Sequence, residues 1–164
     1  MQKNLFDNWK NKEYKTFSQD KYIKFNIIED IVKNKIDIDN YEITKNPDKY
    51  GIDLLIKRNN VIIGGIEVES HSKYWVFDFP FETVHFLGRK TKFIGKNNFY
   101  LMTSKNNLNC VLINFNQLCT DYLKTMDNSD CENEPIYKIP ANQCIFGWDE
   151  ANSYLNTIFN EKSV

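Results

Sequence analysis

Three carboxylates in two neighbouring extended segments have the types and spacing needed for chemistry. Asp53 follows Ile52 in an apolar run, where an unpaired carboxylate is costly to bury. Glu67 and Glu69 are two residues apart in the segment 61–70, so an extended chain points both side chains to one face. A short turn between the segments brings Asp53 near Glu67, and converging carboxylates favour a hard cation such as Mg²⁺. The sequence therefore predicts a divalent metal site.

A pair of strand glutamates is also typical of a solvated sheet face, and that alternative stays open. The apolar residues Ile62, Ile63, Ile66 and Val68 favour a buried strand instead. His71 joins the same face as the glutamates if the strand continues that far.

A fourth carboxylate lies in a predicted amphipathic helix over residues 18–35. The apolar residues of that segment recur at steps of three and four: Phe25, Ile28, Val32 and Ile36. Glu29 falls inside this apolar stripe, whereas Asp30 falls on the polar side. Glu29 is therefore a secondary candidate for a further metal ligand or for a contact of one. A glutamate that reaches solvent from the edge of the core is the alternative.

The elements that must position these residues alternate between helix and strand. Strands are predicted at 41–44, 50–57, 61–70, 99–104 and 110–115, with Asn59-Asn60 at a hairpin turn. Further helices are predicted at 81–94, where Pro80 and Gly95 bracket the segment, at 117–126 and at 149–159. A loop containing Pro135 and Pro140 separates the last two. The pattern predicts an α/β fold.

The 164 residues show no linker or internal repeat, so residues 1–164 are predicted to form a single domain. No leader peptide or membrane-spanning run is evident, which favours an intracellular protein without a membrane partner. Four cysteines without a paired spacing are interpreted as reduced thiols, not as a zinc site: Cys110, Cys119, Cys131 and Cys144.

Charge is distributed unevenly along the chain. Residues 83–120 contain no acid, and their cations form a candidate nucleic-acid surface: Arg89, Lys90, Lys92, Lys96 and Lys105. Residues 121–164 hold eight acids against three lysines. An ordinary mixed surface is the alternative interpretation.

The helix with Glu29, the segment around Asp53, the hairpin and the strand ending in Ile66-Glu67-Val68-Glu69 together resemble the PD-(D/E)XK nuclease superfamily over about residues 22–104. This resemblance implies a restriction-endonuclease-like core, with a central mixed β-sheet flanked by helices. It also implies cleavage of DNA, less often RNA, with Mg²⁺ or Mn²⁺. Asp53 and Glu67 match the motif's two acids, and the backbone carbonyl of Val68 is expected to join the metal.

The chain departs from the motif at Glu69, where the family usually has lysine. A minority of restriction-type endonucleases resemble this chain in carrying Glu at this position. Some relatives in the family place the basic group on the following helix instead. Arg89 and Lys92, three residues apart, are ranked above Lys90 for that role. Glu69, or secondarily His71, is expected to orient or deprotonate the attacking water.

The basic residues Arg89, Lys90, Lys92 and Lys96 are expected to contact nucleic acid. Tyr74 and Trp75 could stack on bases, although burial in the core is the commoner outcome for such aromatic residues. The run 79–93 also resembles small nuclease-like proteins of bacteria and phages, which favours the cytoplasm of a bacterial or phage-infected cell.

These expectations converge on a metal-dependent endonuclease, with DNA ahead of RNA as the substrate. Two alternatives remain: a nuclease-like binding module without catalysis, and a protein whose acidic tail engages a basic partner. Pairing of two chains as a homodimer stays open.

Overall fold

A computed structural model describes residues 19–70, 74–95, 97–118, 120–126 and 133–160. Two α-helices lie at the two ends of this part of the chain: α1 (Gln19–Lys35) and α2 (Trp148–Asn160). The strands between them are β1 (Glu42–Lys45), β2 (Leu54–Arg58), β3 (Val61–Ser70), β4 (Thr83–Leu87), β5 (Asn98–Thr103), β6 (Cys110–Asn114), β7 (Leu123–Met126), β8 (Glu134–Pro140) and β9 (Ile145–Phe146).

Six strands form the central sheet in the order β1-β2-β3-β5-β6-β9. β3 and β5 are parallel, whereas the other neighbouring pairs are antiparallel. The predicted α/β class with a central mixed sheet is therefore confirmed.

The two faces of the central sheet are covered differently. Both helices pack on one face, where Val32 of α1 and Leu155 of α2 share a core with Ile66 and Val68 of β3. A second sheet of three strands, in the order β4-β8-β7, covers the other face. Its buried side chains pack with Tyr100 of β5 and the β6 core: Val84, Phe86, Tyr137 and Ile139. The result is three layers: helices, central sheet and small sheet.

The hydrophobic periodicity predicted most of the central layer. The predicted segment 61–70 coincides with β3, and the segments predicted for α1, β1, β2, β5, β6 and α2 overlap the observed elements. Asn59 and Asn60 adopt φ of 51° and 65°, which is the positive-φ backbone of a two-residue hairpin turn. This turn sets the antiparallel register of β2 and β3.

The helix predicted at 81–94 is wrong. This segment forms β4 and a 3₁₀ segment, Gly88–Phe93. Val84 and Phe86 are buried while His85 is exposed, so the period is two and not 3.6. A Cβ on Gly88 would lie 2.9 Å from the carbonyl oxygen of Pro135, so glycine allows β4 to approach β8 closely.

Two other predictions near the C-terminus are also wrong. The predicted helix at 117–126 is replaced by short 3₁₀ turns and β7, and the predicted loop contains β8. Pro135 and Pro140 lie near the two ends of β8, where a missing N–H does not interrupt the ladder at its centre.

Neither described helix has the length and hydropathy to cross a membrane. Cys110 and Cys144 are free thiols, as predicted, and burial raises the pKa of each to about 12. Cys119 and Cys131 lie outside the described residues.

Candidate active site

Asp53 and Glu67 meet across the β2–β3 hairpin. Leu54 pairs with Ile66 in the register, so Asp53 lies just before β2, opposite Glu67. The backbone N–H of Val68 donates a hydrogen bond of 2.8 Å to Asp53 Oδ2. The predicted convergence of Asp53 with Glu67 is present, and the turn at Asn59-Asn60 produces it.

The environment of Asp53 favours its neutral form. Burial, and next the neighbouring Glu67 carboxylate, raises the pKa of Asp53 from 3.8 to about 7. The Val68 N–H and the Lys90 ammonium oppose this shift, while Glu29 adds a small increase. A positive charge at this point, whether a proton or a metal cation, relieves the repulsion between the Asp53 and Glu67 carboxylates.

Glu67 is the most enclosed acid of the site. The residue is 5% exposed, and its Oε1 forms an ion pair and hydrogen bond with Lys90 Nζ. Its second oxygen, Oε2, is buried without a hydrogen-bond partner. A buried carboxylate oxygen without a donor carries an uncompensated desolvation cost. Oε2 is therefore available to a cation or to a donor from a ligand.

Glu29 is buried on α1, as its place in the apolar stripe predicted, and is 8% exposed. Burial raises the pKa of Glu29; Lys45 opposes the increase, and Asp30 and Glu67 add to it. Lys45 Nζ lies 4.0 Å from Glu29 Oε2 and 2.8 Å from Asp30 Oδ1. Glu29 thus flanks the Asp53–Glu67 pair electrostatically, with its own cation beside it.

Glu69 lies on the same face as Glu67, because Ile66 and Val68 pack on the helical side. Its side chain is exposed, and its Oε2 accepts a hydrogen bond from the hydroxyl of the buried Tyr100. Burial, followed by the Glu69 and Glu67 carboxylates, raises the pKa of Tyr100 well above its usual value. Tyr100 therefore stays a donor and holds Glu69 in place at the edge of the site.

Lys90, which was ranked below Lys92 and Arg89 from the sequence, is the basic residue whose ammonium pairs with Glu67. Lys92 is exposed, and its Nζ lies 3.4 Å from the carbonyl oxygen of Tyr50 in the loop before Asp53. Arg89 belongs to the same 3₁₀ segment, but its side chain lies outside the described part of the structure. His71 and Lys96 also lie outside the described residues.

Trp75 is fully buried, as expected for the commoner outcome of such an aromatic residue, and it does not stack on bases. Its indole N–H donates a 2.9 Å hydrogen bond to the Phe77 carbonyl, and its ring packs edge-on against Phe79. Tyr74 remains 59% exposed.

The donor set suits a divalent cation held by two protein carboxylates. In the described ranges, no group of three or more His, Cys, Asp or Glu residues is placed to hold a metal ion, so the predicted three-carboxylate cluster does not form. Asp53 and Glu67 remain, with the unpartnered Glu67 Oε2 as the observation that fits a cation. Mg²⁺ commonly takes one or two protein carboxylates and completes its shell with water and phosphate.

Tyr100 was not among the site residues predicted from the sequence. The available signal was the alternation in β5, which puts Tyr100 on the face of Glu67 once β3 and β5 pair in parallel register. That pairing depends on tertiary structure. The contact between Lys90 and Glu67 was not predicted, because the segment that contains Lys90 was interpreted as a helix.

No family model and no curated protein matches the chain. Among solved structures, the chain is similar to Hjc of Archaeoglobus fulgidus, described as a Holliday junction resolvase from an archaeal hyperthermophile. The identity is 8% and the TM-score is 0.39, over 76% of this chain and 86% of that one.

Proposed function

We propose that this protein is a divalent-metal-dependent endonuclease that hydrolyses phosphodiester bonds in nucleic acid, with DNA as the first substrate to test. The observation that carries the proposal is the pair formed by the half-buried Asp53 and the buried Glu67, in which Glu67 Oε2 has no partner and the pKa of Asp53 is raised to about 7. A carboxyl group whose pKa is raised by burial and by a neighbouring acid is typical of functional sites. The motif resemblance around the same two residues adds the reaction class.

Each residue of the site has a distinct part in this proposal. Asp53 and Glu67 hold the cation, Mg²⁺ or Mn²⁺, and the carbonyl of Val68 and the Glu29 carboxylate are further candidates for its surroundings. The bound cation supplies electrostatic activation of phosphate and water. Glu69, oriented by Tyr100, accepts a hydrogen bond from the attacking water. Lys92 and Arg89 are candidates for gripping the nucleic-acid backbone beyond the cut.

Loss of cleavage in Glu67→Gln tests the proposal. This change keeps the side-chain volume but removes the charge, so we expect at least about a hundredfold loss of Mn²⁺-dependent cleavage of labelled single- and double-stranded DNA. Glu42→Gln removes an exposed strand carboxylate in β1 and is expected to cleave like wild type. Binding of Mn²⁺ to wild type and to Glu67→Gln, measured by calorimetry, provides the second readout.

Cleavage by wild type that persists in excess chelator, or equal cleavage by Glu67→Gln, would contradict the metal-dependent reaction. RNA of the same sequence, assayed in parallel, decides which nucleic acid is the better substrate.

Two observations favour a second candidate, a nuclease-like binding module without catalysis. Lys90 already neutralises Glu67, and a carboxylate stands at position 69 where the motif usually has lysine. This candidate predicts DNA binding that is independent of metal and unaffected by Glu67→Gln, with no cleavage by wild type.

A further inference from the structure

Lys90 is unusually enclosed for a lysine. Its side chain is 19% exposed, and its ammonium is bonded to the 6% exposed side chain of Glu67. Lysine is among the residues that are seldom buried without a charged partner. By contrast, Lys92, two residues later, is exposed; its ammonium lies 3.4 Å from the carbonyl oxygen of Tyr50 and 4.9 Å from the centroid of the Phe93 ring. Lys90 is thus a component of the acidic site and not of the general basic surface.

The backbone that carries Lys90 is held in place by packing on both sides. Gly88, two residues earlier, lies against Pro135 of β8 so closely that a Cβ would approach Pro135 Cβ to 2.7 Å. Phe93, at the other end of the 3₁₀ segment, is buried against Phe115. The anchored segment directs the Lys90 stem toward β3, while its four-carbon side chain keeps the freedom to move its head.

Glu67 presents two oxygens in different states. Oε1 is engaged by Lys90, and Oε2 is buried without a partner. A divalent cation that binds Asp53 and Glu67 would lie close to the Lys90 ammonium, and like charges at such a distance in a buried site repel strongly. Lys90 and a metal therefore compete for the same carboxylate.

We infer that Lys90 is an exchangeable cation of this site: it neutralises Glu67 in the free protein and moves to a nonbridging oxygen of the scissile phosphate in the substrate complex. This inference rests on the proposed function. It assigns the positive charge that offsets the developing charge on the phosphate to Lys90, ahead of Lys92 and Arg89. An ammonium with three donors can bond a phosphate oxygen without a change in the backbone.

The substitution Lys90→Met separates the two roles because they have opposite signs. Without the ammonium, Glu67 is left free for the metal, so we expect Mn²⁺ affinity, measured by calorimetry without nucleic acid, to rise about five- to tenfold. The turnover number for DNA cleavage is expected to fall about a hundredfold or more, because a charge at the phosphate is lost. Mn²⁺ should also raise the melting temperature of Lys90→Met more than that of wild type.

Lys124→Met is the matched control, since it removes one positive charge from an exposed position of β7. We expect its Mn²⁺ affinity and turnover to equal those of wild type. If Lys90→Met does not fold, the same measurements are made on Lys90→Gln, which keeps a hydrogen-bond donor for Glu67.

An unchanged or weaker Mn²⁺ affinity, or an undiminished turnover number, in a folded Lys90 variant would overturn the inference while wild type still cleaves DNA. Absence of both Mn²⁺ binding and cleavage in wild type contradicts the proposed function itself. The two failures are therefore distinguishable.

Discussion

At the scale of single residues, the site holds acids whose negative charges are disfavoured by burial and by one another. Asp53 and Glu67 face each other, and Glu29 contributes from α1. Their types and the spacing within β3 were evident in the sequence, and so was the burial of Glu29. Two partners offset these charges: the Val68 N–H, which is next to Glu67 in β3, and the ammonium of Lys90, which lies 23 positions further along the chain.

The raised pKa of Asp53 predicts a pH-dependent stability. Its folded value of about 7 exceeds the usual 3.8, so between these pH values the folded state holds a proton that the unfolded state has released. The free energy of unfolding therefore falls as pH rises from about 4 to about 7, when no metal is bound. In Asp53→Asn the free energy of unfolding does not fall in this way, because the amide does not titrate. The amide oxygen can still accept a hydrogen bond from the Val68 N–H.

We expect Asp53→Asn to be more stable than wild type by about 1–3 kcal/mol near pH 8, and the difference to shrink toward zero near pH 4. Urea denaturation in chelator at several pH values measures it, with Asp78→Asn at an exposed position as the control. A gain that does not depend on pH would show that Asp53 is not the titrating group.

At the scale of elements, β3 connects the site to the rest of the sheet. Its apolar run follows the Asn59-Asn60 turn, and apolar residues alternate with glutamates over residues 66–69, so the strand was predictable from local sequence. The structure of the segment that connects β3 to β5 was not predictable, because Pro80 and Gly95 are equally compatible with a helix and with a strand flanked by turns. Pairing of Val84 with Ile139 and of Phe86 with Tyr137 decided for the strand.

Substitution of Gly64 tests how closely the turn before β5 approaches β3. A Cβ at this position would lie 2.2 Å from the carbonyl oxygen of Asn97, and the neighbouring Gly65 N–H donates to the same oxygen at 3.3 Å. Gly64→Ala must move the backbone of one strand, so we expect the free energy of unfolding to fall by about 2–3 kcal/mol.

Thermal and urea denaturation measure the change. Ile62→Ala, at a 58% exposed position of the same strand, is the control and is expected to cost well under about 1 kcal/mol. Equal stability of Gly64→Ala and wild type would mean that Asn97 does not approach β3 as described.

At the scale of the whole molecule, two asparagines of α2 connect this C-terminal helix to the segment that follows α1. Asn152 accepts from the Asp37 N–H and donates to the Lys35 carbonyl, each at 2.9 Å. Asn156 accepts from the Asp39 N–H and donates to the Asp37 carbonyl, also at 2.9 Å. These amides satisfy the backbone after α1, where the helix has ended and no strand has begun.

We expect the double variant Asn152→Ala and Asn156→Ala to lose about 1–3 kcal/mol in the free energy of unfolding, because four hydrogen bonds between distant segments are removed at a partly exposed surface. Ser153→Ala, between them on the exposed side, is the control. The Mn²⁺ affinity should be unchanged, since these residues lie on the outer helical layer. Wild-type stability of the double variant in urea would show that the bridge contributes nothing.

The sequence by itself determined the mixed α/β class, most of the central strands, both described helices and the acids Asp53 and Glu67, because hydrophobic periodicity and residue type are local properties. Tertiary structure alone decided that a second sheet covers the site face, that Tyr100 holds Glu69 and that Lys90 reaches Glu67. Those contacts join residues 23 or more positions apart. Their formation depends on strand pairing and close packing, which no local pattern encodes.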